Sequence, residues 1–243
     1  MAIKGILFDK DGTLIDFYEV WGTAANAVVD RLMDMYGLSG NREVKTRLFD
    51  ALGVHGQSID PEGALAWKPY GLIAEDLVEA LRQEEIPASR EIMEMWLTDE
   101  FFHEVCERRR DYPVFTDVKR LAQELQNRGI HIGLATTDDY RSARICMEKL
   151  GVAEEISFYA TAGCGYPEKP DGELILMAAK KWCISPGEIA VVGDTPNDMR
   201  FAQNGHAVGI GVLSGAGKIE DLEPLADHVI DSVDDLLALL EEL

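Results

Sequence analysis

The sequence predicts an α/β protein with a doubly wound, mostly parallel sheet and an inserted all-α domain. After about residue 112, short apolar segments alternate with helical patterns, as in parallel sheets covered on both faces. One further apolar segment, residues 3–8, lies near the start of the chain. The long stretch between these parts, about residues 18–111, shows helical periodicity and no strand pattern.

The first element is a strand over residues 3–8, because its apolar side chains are followed at once by acidic residues and a glycine. The inserted region then places apolar residues at helical spacing. The residues that carry this spacing are Ala25, Val29, Met33 and Tyr36, then Ile73, Leu77 and Leu81, then Ile92, Trp96, Phe101 and Val105.

Most of the remaining elements alternate between strand and helix. A buried strand at residues 130–135 precedes a helix that ends at Leu150, where Gly151 can cap it. The later predicted segments are strand 156–160, helix 172–182, strand 189–192, helix 197–203, strand 207–210, strand 228–230 and a final helix through Leu240. We therefore predict an α/β core from residues 1–17 and 112–243, and a helical domain from residues 18–111.

Composition narrows the range of partners. The 243 residues carry 23 Lys and Arg against 44 Asp and Glu, a formal net charge of −21. Such a surface disfavours nucleic acid and anionic lipid as partners. The four cysteines form no CxxC pair, and no segment reads as a signal peptide or membrane span. We expect a cytoplasmic protein that binds no nucleic acid and no membrane.

Polar side chains follow several of the predicted strands. Asp9 and Asp11 follow the first strand, Thr136 follows the second, and Asp194 follows the strand at 189–192. Lys169 lies in a loop before a helix. Ligands of open α/β sheets bind beyond the carboxyl ends of the strands, so we expect these groups to meet at one edge.

Three aspartates brought together need a cation or raised pKa values to coexist. Oxygen ligands suit Mg²⁺, which binds through carboxylates, water and substrate phosphate. Lys169 would add positive charge, and Thr136 a hydroxyl for a phosphate group. Asp9 could attack phosphorus to form an aspartyl-phosphate, and Asp11 could exchange protons with the leaving oxygen and with water.

Two other segments, residues 138–139 and 211–218, are predicted to have structural roles only. Asp138 and Asp139 are predicted to cap the helix that follows them. Residues 211–218, GVLSGAGK, lack the spacing of a phosphate-binding loop and are predicted to form a surface loop near the site.

The residues DKDGT, the Thr of LATTDD, Lys169 and GDTPND resemble, in order, the four motifs of the haloacid dehalogenase-like superfamily. The resemblance implies a Rossmann-like core, and the helical insertion is similar to the family's cap. It implies that Asp9 is the nucleophile and Asp11 the acid/base, with Thr136 and Lys169 on the phosphate. We expect Thr137 to bind the phosphate as well, although relatives often have Asn at this position. The resemblance also implies Mg²⁺ held by Asp9, Asp194 and the backbone carbonyl of Asp11, with Asp198 as a supporting carboxylate.

Within this superfamily the chain resembles phosphoglycolate phosphatases. We therefore expect a Mg²⁺-dependent phosphatase of a small phosphorylated metabolite, acting as a monomer or homodimer. The alternative is a phosphosugar mutase similar to β-phosphoglucomutase, but Thr13 stands where such mutases usually carry Val. A phospho-acceptor signalling module and a binding protein without activity are further alternatives. The position of Asp9 after the first strand disfavours the former, and the complete set of motif residues disfavours the latter.

Overall fold

The computed structural model describes residues 2–56, 58–60, 63–109 and 111–243. The strands are β1 Gly5–Phe8, β2 Val54–His55, β3 Ser58–Ile59, β4 His131–Asp139, β5 Phe158–Ala162, β6 Ile189–Gly193, β7 Val208–Val212 and β8 His228–Ile230. The α-helices are α1 Thr23–Met35, α2 Arg42–Leu52, α3 Ala64–Trp67, α4 Tyr70–Arg82, α5 Arg90–Phe102, α6 Val118–Asn127, α7 Tyr140–Leu150, α8 Glu173–Trp182, α9 Pro196–Asn204, α10 Ile219–Leu222 and α11 Leu236–Glu242. Short π-helical turns span Tyr18–Gly22 and His103–Arg108, and 3₁₀ turns span Pro186–Glu188 and Val233–Asp235.

The chain separates into two compact units. One comprises Met1–Phe17 with Asp111–Leu243, and the other comprises Tyr18–Arg110. The second boundary lies one residue before the predicted one. Among the described residues, no helix combines the length and the apolar character that crossing a membrane requires.

The first unit contains the predicted doubly wound sheet, which confirms the fold class. In the part of the chain that the structure describes, six strands pair in the order β5-β4-β1-β6-β7-β8. Every one of these pairings is parallel. The strand order reverses beside β1, and such a point is where open α/β sheets bind ligands.

Strand β1 is central because all four of its residues are buried between β4 and β6. Helix α8 covers one face of the sheet, and Trp182 at its end packs on the backbone of two strands. A side-chain carbon added at Gly5 would lie 2.7 Å from the Trp182 ring, and one at Gly133 would lie 3.2 Å from it. The absence of side chains at these glycines therefore admits the indole ring.

Helix α6 is absent from the sequence prediction, although it buries a regular apolar face. Its buried residues are Val118, Leu121, Ala122 and Leu125, and the side chain of Asp117 accepts a hydrogen bond from the Arg120 amide at 3.0 Å. Strand β4 extends past its predicted end to Asp139. Between Ala135 and Asp139 it departs from regular pairing with β5, whose partners there are Ala160 and Ala162.

The second unit is mainly helical, as predicted, with one exception. Residues of β2 and β3 form a two-stranded antiparallel pair, so the expectation of no strand in this region is wrong. The predicted apolar face of α5 is also wrong at one position. Ile92 is 69% exposed, whereas Met93, Leu97 and Phe101 are buried. Apolar residues occur on more than one side of α5, so spacing alone did not identify the buried face.

We predict that Gly5→Ala destabilises the protein by about 1–3 kcal/mol, because the new methyl group overpacks against Trp182. Urea denaturation measures the change. Gly209→Ala on β7 is the matched control, since its nearest neighbour is the flexible Met199 sulfur at 3.3 Å. Equal losses in the two variants would contradict this account of the packing.

Candidate active site

The ends of β1 and β6, with the loop that precedes α8, bring charged groups into contact at one edge of the sheet. Asp9 follows β1, and its amide donates to the Val192 carbonyl of β6 at 2.8 Å. Asp194 follows β6, and Asp198 lies in the first turn of α9. Carboxylate oxygens of Asp9, Asp194 and Asp198 lie within 4.8 Å of one another, and all three residues are buried.

Lys169 supplies positive charge to this cluster. Its ammonium donates to Asp9 at 2.7 Å, to Asp198 at 2.6 Å and to the Ala135 carbonyl at 2.9 Å. These three bonds use all the donors of the ammonium group. The Asn204 side chain donates to the Pro170 carbonyl at 2.8 Å and so fixes the loop that carries Lys169.

Asp194 is held by the loop after β7. The Ala216 amide donates to its carboxylate at 2.8 Å, and the Thr13 hydroxyl lies 3.4 Å from the other oxygen. A side-chain carbon at Gly215 or at Gly12 would overlap this carboxylate. The loop predicted to lie near the site therefore contacts a site residue directly. Its predicted start is wrong, because Gly211 and Val212 are buried residues of β7.

Asp198 is a shared acceptor. One oxygen accepts from Lys169, and the other accepts from the Thr195 amide at 3.1 Å and the Thr195 hydroxyl at 2.6 Å. Thr195 in turn caps α9, which completes a capping box. Asp198 thus joins the helix start to Lys169 with little freedom to move.

Burial governs the ionisation of this cluster. Burial raises the pKa of Asp9 to about 7, against the opposing charge of Lys169 and with the charges of Asp198 and Asp11 adding to the rise. Burial also raises the pKa of Asp194 well above its usual value, and the charges of Asp9 and Asp198 add to this. For Lys169, burial lowers the pKa, but Asp198 and Asp9 outweigh it and the pKa lies above its usual value.

These residues fit a divalent cation. Among the described residues, the Lys169 ammonium contacts two of these three buried carboxylates, so the cluster keeps excess negative charge when the acids are ionised. A donor set made only of oxygen atoms suits a hard cation such as Mg²⁺. Asp198 belongs to this set in addition to the expected Asp9 and Asp194.

The remaining predicted residues lie nearby with different surroundings. Thr136 is buried, and its hydroxyl oxygen accepts from the Asp138 amide at 3.2 Å, which leaves the hydroxyl hydrogen for another acceptor. Thr137 follows it and is only partly buried. The carboxylate of Asp11 lies outside the cluster of Asp9, Asp194 and Asp198. The expectation that Asp11 binds the metal through its backbone carbonyl stays a prediction.

The interpretation of Asp138 as a helix cap is wrong. Asp139 alone caps α7, accepting from the amides of Arg141 and Ser142 at 2.8 and 3.0 Å. Asp138 instead lies 3.3 Å from the ammonium of Lys10, which also lies 2.5 Å from Asp11. Burial raises the pKa of Asp138 to about 6, while the charge of Lys10 opposes the rise. Sequence reasoning missed Lys10, since lysines are seldom fully buried.

Comparison with known proteins identifies the family of this chain. The family model described as haloacid dehalogenase-like hydrolase matches residues 3–206. Phosphoglycolate phosphatase from Shigella boydii serotype 4 is 28% identical over 98% of this chain and 92% of its own length.

Solved structures share the fold. A structure described as a predicted phosphoglycolate phosphatase from Haemophilus somnus superposes with a TM-score of 0.73 at 18% identity, covering 98% of this chain and 97% of its own. β-Phosphoglucomutase from Clostridium difficile superposes with a TM-score of 0.66 at 19% identity, covering 99% and 96%. At these identities the likeness concerns the fold.

We predict that Asp9→Asn stabilises the metal-free protein more at pH 8 than at pH 5. The raised pKa of Asp9 means that the folded state keeps a proton that the unfolded chain releases above about pH 4. The stability that this proton contributes is complete below pH 4 and is lost as the pH rises through 7. The wild type therefore loses stability over this range, whereas the Asn side chain of the variant does not titrate and keeps its stability. Melting temperatures in EDTA should differ by at least about 2 °C more at pH 8.

Asp231→Asn controls for the change in net charge, because Asp231 is exposed. It should shift the melting temperature by nearly the same small amount at both pH values. A gain for Asp9→Asn that does not depend on pH would show that Asp9 is not the buried titrating group.

We predict that Gly215→Ala weakens Mg²⁺ binding by about 10–100-fold, because the methyl group displaces the Asp194 carboxylate. Calorimetric titration of Mg²⁺ into each protein measures this without reference to activity. Gly209→Ala on the preceding strand should bind Mg²⁺ like the wild type. Unchanged affinity in Gly215→Ala would exclude a positioning role for the loop.

Proposed function

The chain belongs to the haloacid dehalogenase-like hydrolase family, and from this premise we propose that it is a Mg²⁺-dependent phosphatase of a small phosphomonoester. The observation that best supports this is the contact of Asp9 with Lys169 inside a buried acidic cluster. A carboxylate so placed is held near positive charge while the rest of the cluster can bind a cation. A phosphate dianion could approach such a nucleophile without prohibitive repulsion.

The first half-reaction uses Asp9 as the nucleophile. An oxygen of the Asp9 carboxylate forms a bond to phosphorus, and the bond from phosphorus to the alcohol oxygen of the substrate breaks. Asp11 gives a proton to that alcohol oxygen as it leaves. The Thr136 hydroxyl donates to one phosphoryl oxygen. Lys169 gives up its hydrogen bond to Asp9 as that carboxylate bonds to phosphorus, and donates to another phosphoryl oxygen instead. The products are an alcohol and an aspartyl-phosphate on Asp9.

The second half-reaction returns the enzyme to its starting state. Asp11, now ionised, takes a proton from a water molecule as the water oxygen attacks phosphorus. The bond between phosphorus and Asp9 breaks, and inorganic phosphate leaves. Each turnover therefore consumes one water and leaves Asp9 ionised and Asp11 protonated, as at the start.

Asp9, Asp194 and Asp198 would hold the metal, and the family resemblance adds the carbonyl of Asp11. When bound, Mg²⁺ supplies positive charge that offsets repulsion between the nucleophile and the phosphate group. Hydrogen bonds within the chain orient two of these carboxylates. Ala216 orients Asp194 through its amide, and Thr195 orients Asp198.

The proposed substrate class is a phosphorylated small metabolite, with phosphoglycolate as the first candidate. This rests on the 28% identical relative from Shigella boydii, which bears the name phosphoglycolate phosphatase and aligns over nearly the whole chain. The acidic surface, with a net charge of −21, supports a small substrate whose phosphate enters a locally positive site.

We predict that the wild type hydrolyses p-nitrophenyl phosphate in the presence of Mg²⁺ and that EDTA abolishes turnover. Asp9→Asn should lower kcat by about a thousandfold or more, because an amide is not a nucleophile toward phosphorus. Release of p-nitrophenolate is measured by absorbance. Asp231→Asn, which removes an exposed carboxylate, is the matched control and should retain full activity.

Activity that persists in EDTA or in Asp9→Asn would contradict the proposal. A panel containing phosphoglycolate, hexose phosphates and other phosphomonoesters then ranks substrates by kcat/KM. Conversion of one hexose phosphate into its isomer without net release of phosphate would instead identify a mutase.

A further inference from the structure

Lys10 is a buried charge that the proposed reaction does not use. It lies between the nucleophile Asp9 and the acid/base residue Asp11, and its side chain is fully buried with 0% exposure. Burying an ammonium ion carries a large desolvation cost, so such a lysine is retained only where charged partners compensate. The contacts of Lys10 therefore indicate what it does.

Two carboxylates from different strand ends compensate Lys10. Its ammonium lies 2.5 Å from Asp11, which follows β1, and 3.3 Å from Asp138, which lies near the end of β4. Asp138 is itself fixed, since its amide donates to the Thr136 hydroxyl and its side chain is 4% exposed. Lys10 thus links Asp11 to the part of β4 that carries the predicted phosphate-binding hydroxyl.

The three side chains differ in how much space they have to move. The side chain of Asp11 is 15% exposed, whereas those of Lys10 and Asp138 are almost completely buried. Asp11 is therefore the member of the three with the most space to rotate. An ammonium that contacts both Asp11 and the buried Asp138 would restrict that rotation.

We propose that Lys10 is a positioning residue that, anchored by Asp138, holds the Asp11 carboxylate in the orientation needed for proton transfer to and from the reacting oxygens. This inference rests on the proposed phosphatase function. It adds a residue that acts through Asp11, so its loss should affect steps that need a proton more than steps that do not.

Two substrates with different leaving groups separate these steps. p-Nitrophenolate leaves as a stable anion and needs little protonation, whereas the alkoxide from glycerol 2-phosphate requires a proton as it leaves. The value of kcat/KM reports events through transfer of the phosphoryl group to Asp9. Asp11→Asn removes the proton donor itself, so its effect on the ratio of the two kcat/KM values is the reference for the other variants.

We predict that Lys10→Met lowers kcat/KM for glycerol 2-phosphate at least about tenfold more than for p-nitrophenyl phosphate, in the same direction as Asp11→Asn. Asp138→Asn keeps Lys10 beside Asp11 and should change this ratio by a smaller factor. A lysine that only stabilises the fold would lower both values equally, and an unchanged ratio would overturn the proposal.

Lys10→Met leaves the buried Asp138 and the partly exposed Asp11 without their cation and can fail to fold. The double variant Lys10→Met/Asp138→Asn removes one of those charges, so it relieves the repulsion while Asp11 still lacks its holder. The shifted ratio should persist in this variant. A ratio that returns to the wild-type value in the folded double variant would overturn the proposal.

A readout independent of activity separates failure of this inference from failure of the proposed function. If the wild type with Mg²⁺ cleaves neither ester, the phosphatase proposal fails. Crystal structures of the wild type and the double variant still decide the role of Lys10. A carboxylate of Asp11 that rotates away from its wild-type position supports the inference, and one that keeps its orientation without Lys10 overturns it.

Discussion

The concentration of buried carboxylates at one edge of the sheet is the constraint on which the rest of the site depends. Asp9, Asp194 and Asp198 are buried with oxygens within 4.8 Å of one another, and burial raises the pKa values of Asp9 and Asp194. Lys169 offsets part of this charge. The remaining negative charge favours the binding of a cation. A bound cation would in turn reduce the repulsion between the carboxylates and a phosphate group.

The neighbouring loops counter the tendency of these carboxylates to move apart. The Ala216 amide and the close approach of Gly215 fix Asp194, and Thr195 fixes Asp198 through the helix cap. The Lys10 ammonium lies 2.5 Å from the Asp11 carboxylate and holds it in the proposed orientation. The parallel sheet supplies the common edge, and hydrogen bonds from loops after several strands then set the orientation of each charge.

The sequence predicted the sheet and the meeting of Asp9, Asp194 and Lys169 at its edge, because both depend on local signals. Apolar segments such as 189–192 mark strands directly, and the polar residues after them share an edge in any parallel sheet. The contact between Lys10 and Asp138 could not be found in this way, since it depends on the irregular pairing of β4 beyond Ala135. Helix α6 was missed although Asp117 caps it, and the buried face of α5 was obscured by exposed Ile92.

The most direct test of the central claim is to identify the residue that carries phosphate during turnover. Wild-type protein with Mg²⁺ and p-nitrophenyl phosphate is quenched in acid, digested, and analysed by peptide mass spectrometry. The account predicts one phosphate on Asp9, absent in Asp9→Asn and absent when EDTA is added. Turnover with no phosphorylated peptide at any quench time, or with phosphate on another residue, would contradict the assignment of Asp9 as the nucleophile.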